Sequence, residues 1–446
     1  MKKKFKILYV IVFLFVLLIT SAGLLFGGKE VSQENDVTVK MPMLMEEGKI
    51  NLRFFSELGE YYEKNFAFRK EIVSAYDGIM QKVFGSSGQE GVIVGTNQWL
   101  YYKDSLEDFQ GSNLMTDRQL FDAAHTLAMI QEYAQKKDIS FVFTIAPNKN
   151  QLYPENMPYY YKSFRNTENN LSRIEPYLEE EGVNYVDLYG MLKEQKEVLY
   201  HKTDSHWNNK GASMAAEAIL SALDIAHRDY SACKYTVKNN FAGDLYAMLY
   251  PAGQMTEDEI YYDPEPAFSY VEEVENNFAG EISTVGQGEG KSLVMYRDSF
   301  GNALLPFMAE AFQEAYFSRG EPYTLSDLFV CDADTLVIEK AERFLPNLSE
   351  RPPAMVAPIV SSAALSGCAY SPLIDYSTEE MGDYTWITGT IKNQNVGVKD
   401  RIFIRVNGVL NYEAFPCHSE EGEGYSLYLP TSILEEENTY EICLTE

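Results

Sequence analysis

Short apolar strand patterns alternate with amphipathic helix patterns through the middle of this chain, and this alternation most constrains its fold. Residues 139–146 form a nearly continuous apolar run, which is typical of a strand covered on both faces. Similar strand patterns recur at residues 185–188, 293–296 and 335–339, with helical patterns between them. Strands that alternate with helices pack as an open, mostly parallel sheet with helices on both faces. We therefore predict a doubly wound α/β domain over residues 50–350.

The pattern changes to that of a β-rich region after about residue 351. Runs of β-branched and aromatic residues follow one another there, and Asn407-Gly408 is a typical hairpin turn. We predict a small C-terminal β-sandwich domain over residues 351–446, a candidate carbohydrate-binding module because of its aromatic residues. The five cysteines contain no Cys-x-x-Cys pair, and the sequence allows one disulfide in this region without identifying its pairing.

The N-terminus has the pattern of a membrane anchor. Residues 2–6 contain four lysines, and no charged residue occurs from Ile7 to Gly27. About 20 apolar residues suffice to span a bilayer, and cationic residues ahead of a span keep the N-terminus in the cytoplasm. We expect residues 1–28 to form a cytoplasmic stub and a single uncleaved transmembrane anchor, residues 29–49 a tether, and the remainder to be extracellular. A cleaved signal peptide is the alternative.

The charge balance and the missing motifs exclude several classes of function. The chain has 37 basic and 66 acidic residues, so its net charge of -29 repels phosphate backbones and argues against nucleic-acid binding. No P-loop or dinucleotide glycine fingerprint occurs, and we expect no diffusible cofactor. The five histidines include no His-x-x-x-His pair, and we expect no metal site.

The first polar motif is Thr203-Asp-Ser-His-Trp207, which directly precedes a helical pattern. Residues i and i+2 of an extended segment point to the same side. Asp204 and His206 can therefore face one cleft, where the carboxylate would orient the imidazole and the imidazole would act as a base. The alternative is that Asp204 caps the helix while His206 packs beside Trp207. Trp207 and Asn208 are further candidates for contacts with a substrate or an oxyanion.

The second polar motif follows the apolar strand pattern that ends at Tyr296. Ser299 lies where this strand passes into a helix, at the carboxyl edge where sites of open α/β sheets occur. Backbone N–H groups at the start of a helix can bind a developing oxyanion, which acyl transfer requires. The alternative is that Asp298 or Ser299 caps the helix, and this segment alone supports both interpretations equally. Arg297 is a candidate contact for substrate or oxyanion.

A third candidate group follows the strand pattern at residues 139–146. Asn148 and Lys149 come directly after it, so they should also lie at the active edge of the sheet. Either side chain could contact substrate or an oxyanion. A solvated turn is the alternative, and it is favoured for each residue taken alone.

Together these segments resemble the SGNH hydrolase-like proteins of the alginate O-acetylation type (AlgX/AlgJ), and they are similar to the bacterial group named after its DHHW motif. The likeness covers roughly residues 50–345 and rests on these segments in order: Gly95-Thr-Asn-Gln-Trp-Leu-Tyr-Tyr102, Pro147-Asn-Lys149, Tyr153-Pro-Glu155, Thr203-Asp-Ser-His-Trp207 with Gly211-Ala212, and Arg297-Asp-Ser-Phe300. The resemblance implies an SGNH-like fold, with Ser299 as nucleophile, His206 as general base and Asp204 as its partner. Ordinary SGNH esterases have the opposite order of serine and histidine, and an Asp-x-x-His spacing. Arg297 stands where many relatives have a small residue.

The resemblance also implies a function. Ser299 would accept an acetyl group and pass it to a hydroxyl of a cell-surface or secreted polysaccharide, with a membrane-bound O-acyltransferase as the acetyl donor. An acetyl esterase would use the same residues with water as the acceptor. A non-catalytic polysaccharide-binding or assembly protein is the alternative from another class, for which the aromatic content and the β-rich tail would suffice.

Overall fold

The computed structural model describes residues 6–11, 13–15, 18, 40–46, 48–274, 276–392 and 394–445. Most of the predicted anchor and tether lies outside these residues, so both stay predictions. Within the described ranges, no helix is both long enough and apolar enough to cross a bilayer. The chain forms two compact units. The smaller unit comprises Met1–Lys103, Lys202–Ser205 and Asn239–Asp258, and the larger unit comprises Asp104–His201, His206–Lys238 and Glu259–Glu446.

The strands are numbered along the chain. They are β1 Met45–Glu46, β2 Lys49–Ile50, β3 Val92–Val94, β4 Leu100–Tyr102, β5 Ser140–Ala146, β6 Tyr185–Val186, β7 Lys234–Phe241, β8 Glu257–Asp263, β9 Ser269–Tyr270, β10 Glu281–Val285, β11 Ser292–Tyr296, β12 Glu314–Ser318, β13 Thr335–Ala341, β14 Ile359–Val360, β15 Ser371–Pro372, β16 Ser377–Met381, β17 Tyr384–Thr390, β18 Arg401–Val406, β19 Leu410–Ser419, β20 Gly422–Pro430 and β21 Tyr440–Thr445. From Phe54 onward the α-helices are Phe54–Asn65, Arg69–Phe84, Leu106–Gln110, Asp117–Gln135, Lys149–Leu152, Tyr159–Lys162, Asn170–Glu180, Leu188–Lys193, Asn209–Ala222, Asp244–Leu249, Gly301–Ala311, Asp327–Val330 and Asn347–Glu350.

The smaller unit combines helices with a short hairpin. Strands β3 and β4 pair antiparallel, and Asn97 and Gln98 in the turn between them have positive φ values. Leu245 and Leu249 of the helix Asp244–Leu249 pack on this hairpin in one buried apolar cluster. The helix therefore supplies the apolar cover that an isolated two-stranded hairpin needs to be stable.

The larger unit contains a seven-stranded sheet in the order β6-β5-β13-β11-β12-β10-β9. Strands β6, β5, β13, β11 and β12 are parallel neighbours, and β10 and β9 complete the sheet in antiparallel pairing. Neighbouring residues of one strand belong to different apolar clusters: Met295 packs with the helix Asn209–Ala222, and Val294 packs with the helix Asp117–Gln135. Helices therefore cover both faces, and the predicted α/β fold is confirmed.

The sheet gathers the ends of three strands at one edge. Strand β13 lies between β5 and β11, and Ala146 at the end of β5 is level with Ala341 at the end of β13. Because the three strands are parallel, the segments after β5, β11 and β13 leave the same edge. These segments carry Asn148, Ser299 and Arg343, respectively.

The predicted C-terminal β-rich region is present. Strands β15, β21, β18, β19, β20, β17 and β16 follow one another in one hydrogen-bonded path, joined through the long strand β19, rather than in two unconnected sheets. Ile387 of β17 and Ile442 of β21 nevertheless share one apolar core. Cys368 and Cys443 form a disulfide. The region belongs to the larger unit. His125 precedes the predicted boundary at residue 350 and Glu413 follows it, and His125 Nε2 lies 3.0 Å from Glu413 Oε1. The boundary expected there stays a prediction.

Candidate active site

Asp298 shapes the turn that carries Ser299. One of its carboxylate oxygens accepts the Phe300 N–H at 2.9 Å, and the other accepts the Ala341 N–H at 2.5 Å. The carboxylate thus ties the end of β11 to the end of β13. The helix that follows begins at Gly301 and has no side-chain cap. The Ser299 hydroxyl is therefore not used as a helix cap, and it contacts other groups.

The hydroxyl of Ser299 meets the imidazole of His206. His206 Nε2 lies 2.8 Å from Ser299 Oγ, and both residues are half-buried. The Phe300 ring stands edge-on to the imidazole, with ring centroids 4.8 Å apart. The larger unit thus brings together a serine and a histidine at the carboxyl edge of its sheet. This pair has the geometry that a base-activated serine requires.

Trp207 supports this pair from within the core. Its side chain is buried, and the indole Nε1–H donates to the Phe300 carbonyl at 3.1 Å. Its ring packs edge-on against Phe300 at a centroid distance of 5.0 Å. The indole therefore holds the residue that follows Ser299, and it lies in the interior instead of at a surface that a substrate could reach.

Asn208 is a helix cap. Its side-chain oxygen accepts the Gly211 N–H at 3.0 Å and its amide donates to the Val198 carbonyl, so Asn208 opens the helix Asn209–Ala222. Asp204 does not hold the cap position of that helix. In the smaller unit, Asp204 is buried and its Oδ2 accepts the Asp244 N–H at 2.8 Å. Its predicted role as the partner of His206 stays a prediction.

The two predicted cations, Arg297 and Lys149, are buried and donate mainly to backbone carbonyls. The Arg297 guanidinium is buried and donates to the side chain of Asn302 and to the carbonyls of Asn277 and Ala279. Lys149 is also buried, and its Nζ donates to the His201 carbonyl at 3.0 Å. These contacts position loops around the sheet edge. The geometry therefore does not favour a substrate contact for either cation.

Arg343 is a site residue that the sequence interpretation missed. It follows β13 in a short 3-10 turn, Glu342–Phe344, and one of its guanidinium N–H groups lies 3.4 Å from Ser299 Oγ. The guanidinium lies over the ring of Phe344 at 4.7 Å and near the ring of Phe300 at 5.5 Å. The rule that singled out Asn148, a polar residue directly after a buried strand, applies equally to Arg343.

Buried carboxyl groups lie behind this turn. The Glu342 carboxyl accepts the Asn148 N–H at 2.8 Å, and the Asn148 side-chain amide donates to Asp108 at 3.0 Å. Burial, followed by the charge of Asp108, raises the pKa of Glu342 to about 8. Burial also raises the pKa of Asp108 to about 6. Asn148 therefore bridges two carboxyl groups whose charged forms are disfavoured, and no sequence motif indicated them.

A further buried carboxyl, that of Glu339, contacts the turn that carries Ser299. The Asp298 N–H donates to Glu339 at 3.1 Å. Burial, reinforced by the negative charge of Asp298, holds the pKa of Glu339 well above its usual range. A neutral carboxyl in this position can accept the hydrogen bond from the amide N–H without adding a second negative charge beside Asp298.

The fold and this pair define a serine–histidine site on a doubly wound α/β sheet. Residues 92–275 match the family model described as an SGNH hydrolase-like domain of the acetyltransferase AlgX. This match confirms, over these residues, the resemblance to proteins of the AlgX/AlgJ type that the sequence motifs predicted. The matched residues include His206 and end before Ser299, so the assignment of Ser299 depends on the geometry.

Individual relatives are distant. The chain is 24% identical over 228 residues to a "Probable alginate O-acetylase AlgJ" of Pseudomonas syringae pv. tomato, covering 50% of this chain and 54% of that protein. The chain thus spans about half the length of the curated relatives that it matches. A DHHW family protein of Eubacterium siraeum has a TM-score of 0.40 at 18% identity, covering 50% of this chain and 85% of the other. Bacillus cereus PatB1 has a TM-score of 0.44 at 15% identity, covering 57% and 96%.

Proposed function

We propose that this chain is an extracytoplasmic O-acetyltransferase that passes acetyl groups to a cell-surface or secreted polysaccharide through an acyl-enzyme on Ser299. The observation that carries the proposal is the 2.8 Å separation of His206 Nε2 and Ser299 Oγ at the carboxyl edge of the sheet. The names of the AlgJ relatives and the AlgX family model support the transfer of acetyl groups to a polysaccharide.

The reaction has two displacement steps. His206 Nε2 takes the hydroxyl proton as Ser299 Oγ bonds to the carbonyl carbon of the acetyl donor, and the carbonyl electron pair moves to oxygen. When the pair returns, the bond to the donor's leaving group breaks, and that group takes the proton from His206. A polysaccharide hydroxyl then attacks the acetyl-serine in the same way, giving its proton to His206 and restoring the Ser299 hydroxyl.

Asp204 completes the proposed catalytic set. Its buried carboxylate stands two residues before His206 in the chain, and its role would be to orient the imidazole and stabilise the imidazolium. The proposed acetyl donor is a membrane-bound O-acyltransferase, and the N-terminal apolar segment would anchor this enzyme beside it. Neither step requires a diffusible cofactor.

The test measures hydrolysis and transfer together. The purified chain is mixed with a soluble acetyl ester, with and without an oligosaccharide acceptor, and acetate and acetylated sugar are both quantified. We expect turnover that depends on Ser299, with acetylated sugar as a product. Acetate alone, at an unchanged rate with acceptor present, would identify an esterase. Unchanged turnover in Ser299→Ala would overturn the serine mechanism, and inhibition of the unaltered chain by a chelator would instead indicate a metal-dependent reaction.

A further inference from the structure

We infer that Arg343 is a further catalytic residue, whose guanidinium donates a hydrogen bond to the oxyanion that forms when Ser299 attacks an acyl carbonyl. The inference rests on the proposed function, because it concerns the same acyl transfer. It assigns the oxyanion donor to the segment after β13, whereas the sequence motifs pointed to the segments after β5 and β11.

Arg343 lies close to the hydroxyl of Ser299. Arg343 Nη2 lies 3.4 Å from Ser299 Oγ. Arg343 follows β13, and the end of β13 lies at the same sheet edge as the end of β11. In the tetrahedral intermediate, Oγ and the oxyanion are bonded to one carbon, so a donor beside Oγ is within reach of an oxyanion that forms on its side. At 3.4 Å the contact with the hydroxyl is long for a hydrogen bond. A guanidinium carries five N–H donors in a planar fork, and this fork can present a donor to an oxygen that forms beside Oγ during the reaction.

Two aromatic rings and a buried neighbouring residue set the orientation of the Arg343 side chain. The guanidinium lies over the Phe344 ring at 4.7 Å and beside the Phe300 ring at 5.5 Å, and such aromatic faces attract a cation. Glu342, the preceding residue, is fully buried and accepts the Asn148 N–H. The contact of Glu342 with Asn148 thus fixes the turn that carries Arg343, and the two aromatic rings fix its guanidinium. A donor whose position is set before the reaction stabilises a transition state without reorganising.

The charge of Arg343 is suited to stabilising an oxyanion. An arginine side chain remains protonated at any pH at which a protein is active, so its charge opposes that of the oxyanion throughout. Arg343 is half-buried, where screening by water is weaker than at an exposed surface. Arg297 and Lys149, the cations suggested by the sequence, instead contact Asn302 and the His201 carbonyl, respectively. Among these three cations, the geometry selects Arg343.

The proposed step balances as an ordinary addition and elimination. The Oγ–carbon bond forms, the Ser299 proton moves to His206 Nε2, and the carbonyl electron pair moves to the oxygen that accepts from Arg343. When that pair re-forms the carbonyl, the bond to the leaving group breaks and the leaving group takes the proton from His206. Arg343 donates its hydrogen bond during both the addition and the elimination, and it keeps its protons.

The experiment compares Arg343→Ala and Arg343→Lys with the unaltered full chain on 4-nitrophenyl acetate. We expect Arg343→Ala to lower kcat by about 100-fold or more with little change in KM, as for the loss of one oxyanion donor. Arg343→Lys should keep part of the rate because it retains the charge. Added guanidinium ion should restore part of the kcat of Arg343→Ala, which a purely structural defect would not allow.

The controls separate this inference from the proposed function. Arg351→Ala removes an exposed arginine that follows Arg343 in the chain and pairs with Glu321, and it should leave kcat unchanged. Labelling of Ser299 by a sulfonyl fluoride, followed by mass spectrometry, reports whether the nucleophile remains reactive, and thermal unfolding reports the fold. If Ser299→Ala is inactive while Arg343→Ala keeps kcat within about threefold, the role of Arg343 is overturned and the proposed function stands. If the unaltered chain shows neither turnover nor labelling, both are overturned. If Arg343→Ala does not fold, Arg343→Lys decides: a wild-type kcat in that variant would contradict the guanidinium geometry.

Discussion

His206 Nε2 lies 2.8 Å from Ser299 Oγ, although the two residues are 93 positions apart in the chain. The pairing requires the loop before the helix Asn209–Ala222 and the end of β11 to meet at one edge of the sheet. The motif at Ser299 left open whether this serine faces a base or caps the following helix. Asp298 accepts the Phe300 N–H, and the serine hydroxyl contacts the imidazole of His206 instead.

We predict that His206→Ala lowers the rate of acetyl-ester turnover by several orders of magnitude, because Ser299 then has no base. Asp204→Asn should lower the rate less, since a carboxylate in this role orients and stabilises the imidazole without taking the proton. Steady-state kinetics across a pH series checks both. Equal rates in His206→Ala and in the unaltered chain would contradict the assignment of the base.

We predict that Trp207→Phe lowers kcat markedly while it lowers the free energy of unfolding only slightly. The substitution removes the indole N–H that holds the Phe300 carbonyl, and a hydrogen bond of this kind contributes about 1 kcal/mol to folding. Trp386→Phe is the matched control, because the Trp386 indole donates to Ser426 Oγ at 2.9 Å in the C-terminal region. Thermal unfolding and kcat are measured for both variants. A similar loss of kcat in the two variants would show that Trp207 has no special role in positioning the site.

We predict that Glu342→Gln makes the chain more stable than the unaltered protein at alkaline pH. Burial raises the pKa of Glu342 from 4.5 to about 8, so the folded state binds this proton more tightly than the unfolded state does. The resulting stability is fully present below pH 4.5 and is lost as the pH rises through about 8. The difference in Tm between variant and unaltered chain should grow by at least about 2 °C from about pH 6 to about pH 9.

The control for Glu342 is Glu179→Gln, which changes an exposed carboxyl of the helix Asn170–Glu180. Its difference in Tm should not vary with pH in this way. A glutamine at position 342 can still accept the Asn148 N–H that Glu342 accepts at 2.8 Å, so the substitution preserves that contact. A pH-independent difference for Glu342→Gln would mean that Glu342 is charged in the folded protein.

We predict that His125 stabilises the packing of the C-terminal β-rich region against the helix Asp117–Gln135 in a pH-dependent way. Its ring lies 2.7 Å from Glu181 and 3.0 Å from Glu413. Burial lowers the pKa of His125, but hydrogen bonds to Glu181 and Glu413 outweigh burial and raise it above 6.5. The contribution to stability is therefore full below pH 6.5 and is lost as the pH rises through the higher folded value.

Denaturant unfolding of His125→Gln at several pH values checks this prediction. The variant should be less stable than the unaltered chain at about pH 6, and the difference should shrink by about pH 9. His227→Gln is the control, because His227 contacts the nearby Ile225 carbonyl and does not join the two regions. A larger difference at alkaline pH than at pH 6 would contradict a protonated His125.

The sequence by itself determined the local elements and several candidate residues. Apolar runs predicted the buried strands β5, β11 and β13, because a strand covered on both faces needs apolar residues on both. The order of strand and helix placed Ser299 at a strand end, and the spacing of Asp204 and His206 suggested an oriented base. These inferences use only neighbours along the chain, which is why a pattern could carry them.

The tertiary structure decided which side chains meet. The order of strands in the sheet brought the ends of β11 and β13 together, and this placed Arg343 beside Ser299 without any motif around Arg343. The same packing turned the Arg297 guanidinium and Lys149 Nζ toward backbone carbonyls. It also buried Glu342, whose raised pKa depends on the low polarity of its surroundings and on a carboxyl far away in the sequence. Such contacts arise from strand order and burial, which have no local signal in the amino-acid sequence.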